Sequence, residues 1–546
     1  MAIPRVLLRP VAFLAGAHAS RQLNDFMSSH QETAQRQDRL LMELVRRHQE
    51  SSFGQDHHFD RIRGYDDFKA AVPVGNYETH RPYIQRVLEG RTSALLPPGE
   101  PVLMFSMTSG TTGQPKHIPV TRRFLANMRR GWNIFGLKVL QDHPDGWLRP
   151  ILQISSSTRE ATSPTGLSCG AISGLLAQTQ KTIVRRMYVV PQEVMDLSEP
   201  AVKYYLILRC SIGRKIGLIT TANPSSTIKL IETAQAHVQT LIRDVADGTV
   251  SPPGPTPPSF GRHLKFRKNP ALAARLEEGL RRDGQLLPRH FWNPAVLCNW
   301  TGGTLHLYLR RLRELFPGVP IRDIGLLASE GRFSIPLADE APAGVAEITS
   351  NFLEFIPSQH TEGDNPPTLR AHELEVGQDY SLVLSNWAGL WRYNIDDRVR
   401  VVSRLGQSPV FEFLSRGRHT ANITGEKITE HQVVEAMRRA TGRGGAAVEL
   451  FELQGHFAKL PYYELRLEEA PGVDPKRLAE AMDHELGELN IEYASKRKTG
   501  RLGAIRPKGL PSGTLANAEA EKIRQRRGRG EQYKHQYLLI DVVEGP

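Results

Sequence analysis

Residues 102–121, VLMFSMTSGTTGQPKHIPVT, join an apolar run to a loop of hydroxyl residues and glycines that is closed by a lysine. The apolar residues at 102–105 predict a short buried strand, and residues 106–113 predict the loop that leaves its end. A loop of this composition after a buried strand is typical of a site that holds phosphate.

The residues of this loop supply the groups that phosphate binding needs. Glycine allows a tight turn and a close approach of the backbone, so peptide N–H groups can face anionic oxygens. Lys116 adds positive charge close to the loop. The candidate phosphate-binding residues of the loop are Thr108, Ser109, Gly110, Thr111, Thr112 and Gly113.

Two well-known phosphate-binding patterns do not fit. A P-loop counted from Gly110 would place Pro115 where the second glycine belongs and His117 where the hydroxyl residue belongs. No G-x-G-x-x-G spacing of a dinucleotide fingerprint occurs here either. An ordinary polar loop is the alternative. The preceding strand and the lysine in register favour a nucleotide phosphate.

The loop, with Pro115 and Lys116 after it, closely resembles the phosphate loop of the adenylate-forming superfamily of acyl-CoA synthetases, peptide-synthetase adenylation domains and luciferases. Residues 51–90, SSFGQDHHFDRIRGYDDFKAAVPVGNYETHRPYIQRVLEG, are similar to the lead-in of the auxin-responsive acyl acid amido synthetases and their bacterial relatives. The resemblance implies an α/β adenylate-forming enzyme fold. A large multi-sheet domain, residues 1–425, would bind nucleotide and acyl acid, and residues 426–546 would form a small mobile α/β domain.

Composition limits the function classes. The chain has 546 residues, 40% hydrophobic and 23% charged, which is typical of a soluble globular protein with more than one domain. Seventy Lys and Arg against 58 Asp and Glu give a net charge of +12 that is spread along the chain. Because basic residues and aromatic platforms do not cluster, we predict no nucleic-acid partner. No apolar run is long enough to span a membrane, so we predict no membrane partner.

The cysteines and the N-terminus bear on the compartment. Cys169, Cys210 and Cys298 are far apart and form neither a metal spacing nor a disulfide framework, which indicates a reducing compartment. Residues 1–20, MAIPRVLLRPVAFLAGAHAS, carry a short apolar run and an Ala-His-Ala that mimics a cleavage site. Arg9 and Pro10 interrupt that run. We therefore expect a cytoplasmic protein, and a monomer.

Periodicity predicts the surrounding elements. Helices are expected within residues 11–50 and at 428–442, and strands at 380–386 and 398–414. Residues 122–140 predict the helix that follows the phosphate loop, with an N-terminal end that favours an anion. The proline-rich residues 247–264 predict an exposed loop.

A second motif lies in residues 321–336, IRDIGLLASEGRFSIP. Ala328-Ser329-Glu330 resembles the superfamily motif whose glutamate binds magnesium and whose hydroxyl meets a nucleotide phosphate, so the resemblance assigns these roles to Glu330 and Ser329. Mg²⁺ prefers hard oxygen ligands. Leu326 stands at the family's tyrosine position, which puts adenine stacking there in doubt. A solvated helix cap is the alternative for an isolated Ser-Glu pair.

A third motif lies in residues 386–401, NWAGLWRYNIDDRVRV. It resembles the family run of tyrosine, arginine and tyrosine before Gly-Asp, which implies that Asp397 binds the ribose hydroxyls. An aspartate can accept hydrogen bonds from both hydroxyls. Asp396 occupies the glycine position, as either a distortion of the backbone or a tolerated change.

Three further nucleotide-binding candidates come from the resemblance. Gly302 and Gly303 of LCNWTGGTLHLY lie where relatives bring backbone against the nucleotide, although an isolated Gly-Gly is also typical of a turn. Arg416 precedes residues 422–430, NITGEKITE. This segment resembles the junction between the large and the small domain in the family.

The catalytic candidates are Lys116 and Lys534. Gln532-Tyr533-Lys534 is similar to the family's terminal Gln-Tyr-Lys, and superfamily members swing a lysine of the small domain into the active site. A flexible ammonium can follow the charge that develops during adenylation. The alternative is a surface lysine in a basic tail.

Together, these parts imply an enzyme that uses ATP and Mg²⁺. A small-molecule carboxylic acid would form acyl-AMP and pyrophosphate, and an amine, by analogy an amino acid, would then take the acyl group. An acyl-CoA ligase and a non-catalytic nucleotide- or nucleic-acid-binding protein are the alternatives. The acid is not specified by the sequence, and the carboxylate-binding arginine of some relatives is not placed among Arg122, Arg123, Arg129 and Arg130.

Overall fold

The fold is mixed α/β, as predicted. The computed structural model describes residues 20–108, 115–155, 157–180, 182–197, 199–256, 264–302, 306–360, 365–416, 420–442, 448, 450–469, 472–515, 517–518 and 537–544. Within these residues, no helix is both long and apolar enough to cross a membrane.

Short helices open the described chain. The first long one buries Leu40, Leu41, Leu44 and Val45, which confirms the predicted amphipathic helix. Asn76 caps the fourth helix, because its side chain accepts hydrogen bonds from the backbone N–H groups of Glu78 and Thr79. The helices are α1 (Thr33–His48), α2 (Ser52–Asp56), α3 (Tyr65–Ala71) and α4 (Tyr77–Leu88).

The phosphate stretch forms an antiparallel hairpin. Strand β1 (Val102–Thr108) pairs with β2 (Lys116–Thr121), with Thr108 opposite Lys116 at one end and Val102 opposite Thr121 at the other. Helix α5 (Arg122–Asp142) follows directly. The predicted strand and helix are confirmed.

Helix α5 does not begin at the Thr108 end of the hairpin, so the anion-binding role of its N-terminal end stays a prediction. Strand β2 carries the chain back along β1, so α5 begins at the Val102 end of the hairpin, opposite to the end at which Thr108 pairs with Lys116. The first turn is also capped, because the Thr121 hydroxyl accepts a hydrogen bond from the N–H of Phe124 at 3.1 Å. The phosphate loop therefore does not lead into a helix N-terminus.

Two sheets and eight helices make up the next part of the described chain. One sheet has the order β2-β1-β5-β4, and the other is parallel with the order β3-β6-β7-β8. The carboxyl ends of β6, β7 and β8 lie at one edge, where α/β sheets commonly bind ligands. The new elements are β3 (Ile151–Gln153), β4 (Ala161–Thr162), β5 (Ser168–Gly170), α6 (Ile172–Gln178), α7 (Thr182–Arg185), α8 (Gln192–Met195), α9 (Pro200–Ser211), β6 (Leu218–Thr221), α10 (Pro224–Ala236), α11 (Val238–Asp247), α12 (Pro270–Asp283), β7 (Val296–Asn299), α13 (His306–Leu315) and β8 (Ile321–Asp323).

A small hairpin then leads into a seven-stranded antiparallel sheet of order β11-β12-β17-β16-β15-β13-β14. The predicted strands at 380–386 and 398–414 are confirmed as β15, β16 and β17. The elements are β9 (Leu327–Ala328), β10 (Gly331–Arg332), β11 (Ser334–Ile335), β12 (Gly344–Ala346), β13 (Phe352–Pro357), β14 (Leu369–Arg370), β15 (Asp379–Ser385), β16 (Tyr393–Leu405) and β17 (Ser408–Arg416).

The last part, which we call the C-terminal module (residues 420–544), has a hydrophobic core that runs from Ala421 to Leu538. Its main sheet has the order β22-β21-β20-β23, and the predicted helix at 428–442 is confirmed as α14. The elements are β18 (Thr420–Ala421), β19 (Ile428–Thr429), α14 (Glu430–Gly442), β20 (Phe451–Phe457), β21 (Tyr462–Glu468), α15 (Pro475–Leu489), α16 (Ile491–Lys498), β22 (Arg506–Leu510) and β23 (Leu538–Glu544).

Candidate nucleotide site

The phosphate hairpin rests on Tyr77, a residue that sequence reasoning missed. The Tyr77 hydroxyl accepts a hydrogen bond from the N–H of His117 at 2.9 Å, and the Lys116 Nζ lies 5.6 Å from the centre of its ring. Burial raises the pKa of Tyr77, and the nearby charge of Glu330 adds to the rise. Tyr77 thus holds the return strand of the hairpin and lies against Lys116.

Five of the loop candidates lie outside the described residues. They are Ser109, Gly110, Thr111, Thr112 and Gly113. For Thr108 the structure describes the backbone, which faces Lys116 across the base of the hairpin. Their phosphate-binding role stays a prediction.

Glu330 occupies a turn, and the helix-cap alternative for it is wrong. Ala328 pairs with Gly331, so Ser329 and Glu330 are the two residues between β9 and β10. Glu330 is only 1% exposed, and its Oε1 has no hydrogen-bond partner within the described part of the chain. Because a buried carboxylate oxygen without a partner is costly, this atom indicates a bound cation, water or ligand.

The donor set fits magnesium held together with phosphate. The described residues contain no group of three or more His, Cys, Asp or Glu side chains that would hold a metal ion by themselves. Mg²⁺ is commonly held by one or two carboxylates together with the phosphates of a substrate. A single buried carboxylate with a free oxygen, as at Glu330, matches that arrangement.

Asp397 lies on β16, is 4% exposed and pairs through its backbone with Arg416 on β17. Its neighbour Asp396 has a φ of 65°, in the left-handed region, and its N–H donates to the Asn394 Oδ1 at 2.8 Å. Glycine adopts this region freely, and aspartate is among the residues that tolerate it. Asp396, which stands at the family's glycine position, therefore fits both interpretations. The backbone is distorted there, and the aspartate is accommodated. For Arg416 the structure describes the backbone only.

Gly302 is buried beside Trp300, where an added Cβ would lie 3.0 Å from the indole Nε1. Gly303 lies outside the described residues, as does Lys534. The roles proposed for these two residues stay predictions.

Asp323, which sequence reasoning also missed, anchors the loop that contains Gly302. Its carboxylate accepts hydrogen bonds from the N–H and the hydroxyl of Thr301, both at 2.6 Å, and from the N–H of Gly325 at 2.5 Å. Burial raises its pKa to about 6. Asp323 ends β8, so it joins the edge of the parallel sheet to the chain that leads to Glu330.

Part of the third motif has a structural role. Arg392 is fully buried and pairs with Glu354, Nε to Oε1 at 3.0 Å, and it also donates to the Thr368 hydroxyl at 2.7 Å and the Val72 oxygen at 2.8 Å. These bonds fix the start of β16 to the N-terminal helices. In the sequence, Arg392 stands out because it lies between Trp391 and Tyr393. That run does not predict which residues Arg392 bonds to.

A second buried arginine follows Glu330 on the same hairpin. Arg332 lies against the rings of Trp132 and Phe135, at 4.7 and 5.1 Å, and an added Cβ on Gly131 would come within 2.6 Å of its Cδ. Burial lowers the pKa of Arg332 to about 10. Gly131 therefore allows helix α5 to pack directly on the hairpin that carries Glu330.

Two of the four arginines of α5, Arg123 and Arg129, differ in exposure and in their hydrogen-bond partners. Arg123 is exposed and pairs with Glu43 at 2.6 Å, whereas Arg129 donates to the Thr179 hydroxyl at 2.6 Å. Burial lowers the pKa of Arg129, and its Nε has no hydrogen-bond partner within the described chain. Of the two, Arg129 is the more buried.

Comparison with solved structures identifies the class of fold. The chain superposes on an acyl acid amido synthetase, GH3.15, with a TM-score of 0.65 and 19% identity over 94% of this chain and 92% of that one. It superposes on a 2-hydroxyisobutyryl-CoA ligase with a TM-score of 0.55 and 14% identity over 93% and 90%. The fold is that of the adenylate-forming ligases.

Sequence comparison gives the family. Residues 22–321, 345–416 and 431–542 match the N-terminal, central and C-terminal domains of the GH3 family, and the chain belongs to that family. An indole-3-acetic acid-amido synthetase of Arabidopsis thaliana, GH3.10, is 24% identical over 505 residues, which cover 86% of this chain and 85% of the relative. A jasmonoyl-L-amino acid synthetase of Nicotiana attenuata, JAR4, is 23% identical over 474 residues, or 82% and 81%.

Proposed function

We propose that the chain is an ATP-dependent acyl acid amido synthetase. It joins a carboxylic acid to ATP to form acyl-AMP and pyrophosphate, and it then transfers the acyl group to an amino acid and releases AMP. The observation that carries this proposal is Glu330, a buried carboxylate whose Oε1 has no hydrogen-bond partner among the described residues and whose charge raises the pKa of Tyr77 beside Lys116. The relatives named for amido synthesis support it.

In the first half-reaction the chain positions groups and stabilises charge. The phosphate loop and Lys116 hold the β- and γ-phosphates, Asp397 accepts hydrogen bonds from the ribose hydroxyls, and Ser329 meets a phosphate oxygen. Glu330 would hold Mg²⁺, which supplies neutralisation of charge on the departing pyrophosphate. Lys534 follows the negative charge between the attacking carboxylate and the α-phosphate.

The second half-reaction needs no covalent intermediate on the protein. All three cysteines are buried, and burial raises the pKa of Cys210 to about 11 and of Cys298 to about 12. Burial also raises the pKa of Cys169. These thiols therefore stay protonated near neutral pH and are poor nucleophiles. The amine of the acceptor attacks acyl-AMP directly.

The remaining expectations belong to the same proposal. A large domain holds nucleotide and acid, and the C-terminal module, which we take from residue 420 because Ala421 and Ile423 pack in its core, moves between half-reactions. Arg129 is our candidate for the group that meets the acid's carboxylate, because its Nε is buried and unpaired within the described chain. We propose a cytoplasmic monomer.

The test is an ATP–pyrophosphate exchange assay with a panel of aryl, indole and aliphatic acids. At least one acid should support exchange, and the acyl-AMP formed should yield an amide with an amino acid. A thioester with coenzyme A and no amide would establish the acyl-CoA ligase alternative. Absence of exchange with every acid, in protein that still binds ATP, would establish a non-catalytic nucleotide-binding protein.

A further inference from the structure

Asn223 connects the larger part of the protein to the C-terminal module. Its Oδ1 accepts a hydrogen bond from the N–H of Ser225 at 2.8 Å and so caps helix α10. Its Nδ2 donates to the backbone oxygen of Thr424 at 2.6 Å. Asn223 is 7% exposed, so water competes little for either bond.

The loop that Asn223 contacts is fixed to the C-terminal module. The Glu426 carboxylate accepts hydrogen bonds from the N–H groups of Ile423 and Thr424, both at 2.7 Å, and from the hydroxyl of Tyr463 on β21. Asn490 also donates to the Glu426 backbone oxygen at 2.9 Å. Because these bonds lie within the module, residues 422–427 move with it.

Two weaker contacts cross the same interface. Arg501 Nη1 lies 3.3 Å from the Ser226 hydroxyl, next to the residue that Asn223 caps. The rings of Tyr308 on α13 and Phe457 on β20 meet edge to face, with centres 4.8 Å apart. Of the two polar contacts, the bond from Asn223 to Thr424 is the shorter, and it leaves little freedom in direction.

We propose that Asn223 is a positioning residue that fixes the C-terminal module in the arrangement used by one of the two half-reactions. This rests on the proposed function, in which the module rotates between adenylation and amide transfer. A contact made in only one arrangement stabilises only the step that uses that arrangement. If the module rotates as a unit, the bond to Thr424 breaks, because its two partners lie on opposite sides of the interface.

One substitution separates this role from capping. Serine is as good a helix N-cap as asparagine, but it lacks a side-chain amide to reach Thr424, so Asn223→Ser keeps the cap and removes the contact. Asn269 caps helix α12 through a bond from the N–H of Leu272 at 3.1 Å, far from this interface in sequence. Asn269→Ser is therefore the matched control for a change of cap.

The two half-reactions are measured separately, as ATP–pyrophosphate exchange and as amide formation from supplied acyl-AMP. We expect Asn223→Ser to slow one step at least tenfold and the other less than twofold, with both steps unchanged in Asn269→Ser. Equal slowing of both steps would indicate general damage and would overturn the proposal. Unchanged rates for both steps would overturn it as well.

A distance measurement keeps this inference separate from the proposed function. Spin labels at Arg36→Cys on α1 and His484→Cys on α15 occupy exposed sites, and the three native cysteines are buried. Asn223→Ser should broaden the distribution of distances between the labels, whereas Asn269→Ser should not. A broadened distribution in a protein that adenylates no acid would show that Asn223 fixes the C-terminal module, but it would reject the proposed function and with it a role in a half-reaction. An unchanged distribution in an active enzyme would reject the positioning role alone.

Discussion

Asn386 donates a hydrogen bond from its side-chain nitrogen to the backbone oxygen of Glu330 at 2.6 Å, and both residues are buried. Its side-chain oxygen accepts a bond from the N–H of Ala388 at 2.9 Å, so the amide is held at both ends. Asn386 is the first residue of the third motif, and Glu330 is the last residue of Ala328-Ser329-Glu330 in the second. The bond therefore holds the turn of Glu330 through its backbone and leaves the carboxylate available to a ligand.

Glu330→Gln should reduce magnesium-dependent adenylation at least tenfold, or about 1.4 kcal/mol, because the amide keeps the shape but loses the charge that holds the cation. The assay is pyrophosphate exchange across a magnesium titration. Glu314→Gln on the exposed face of α13 is the control and should behave as the parent. Near-parental exchange in Glu330→Gln, at low magnesium, would reject the metal assignment.

Lys534→Ala should slow acyl-AMP formation on the order of 100-fold, the scale seen when one charge-stabilising group is lost. Amide formation from supplied acyl-AMP should change far less, because a lysine used in one transition state affects that step alone. Single-turnover measurements of each step make the comparison. Lys508→Ala, an exposed lysine on β22 of the same module, is the control. Equal slowing of both steps by Lys534→Ala would point to damage of the module, and no slowing to a surface lysine.

Glu354→Ala should destabilise the fold by about 3–5 kcal/mol, because it leaves the charge of Arg392 buried without its partner. Glu354 and Arg392 are both essentially unexposed. The free energy of unfolding from urea titration is the measurement. The double variant Glu354→Met with Arg392→Met should recover part of this loss, since it removes both charges but leaves the Val72 oxygen without its bond from Arg392. A loss below about 1 kcal/mol in Glu354→Ala would contradict the buried-pair interpretation.

Stability should fall in acid partly through His80. Its Nε2 accepts a hydrogen bond from the N–H of Trp391 at 3.1 Å, so its Nδ1 carries the proton that it donates to the Asn76 oxygen at 2.9 Å. This neutral form is fully bonded, and burial lowers the pKa of His80 to about 4. The unfolded chain takes up a proton near pH 6.5, before the folded protein does. The stabilisation is therefore complete above pH 6.5 and is lost as the pH falls toward 4.

For His80 alone, the free energy of unfolding at pH 5 should be about 2 kcal/mol lower than at pH 7.5. His80→Gln should show a correspondingly smaller loss between these two pH values in urea titrations. Burial also lowers the pKa values of His30 and His48 to about 4. These two residues should therefore account for the pH dependence of stability that remains in His80→Gln. An unchanged pH dependence in His80→Gln would show that this histidine is not the group responsible.

The elements that the sequence predicted correctly are those encoded by neighbouring residues. The spacing of Leu40, Leu41, Leu44 and Val45 marks one face of a helix, and the apolar run at 102–105 marks a buried strand, because burial follows the local period of the backbone. The three motifs also appear in chain order, and the family match covers the first and the third of them. Fold class and family were therefore within reach of the sequence.

The start of α5 shows where local reasoning fails. Residues 116–121 contain Pro119, His117 and Thr121, and their apolar and polar residues do not alternate clearly. The segment therefore does not predict β2. The strand forms because it pairs with β1, and that pairing moves the helix N-terminus to the far end of the hairpin. A strand that is stabilised mainly by its partner strand need not show a strand pattern in its own sequence.

The sequence by itself determined the fold class, the family and the buried strand at 102–105, because periodic burial and short motifs are written in adjacent residues. Tertiary structure alone decided that Tyr77 lies against Lys116, that Arg392 pairs with Glu354, and that Asn223 meets Thr424, 201 residues away. The physical reason is that each contact depends on how separate elements pack. A buried donor or charge requires a partner, but only the packed chain selects which one it meets.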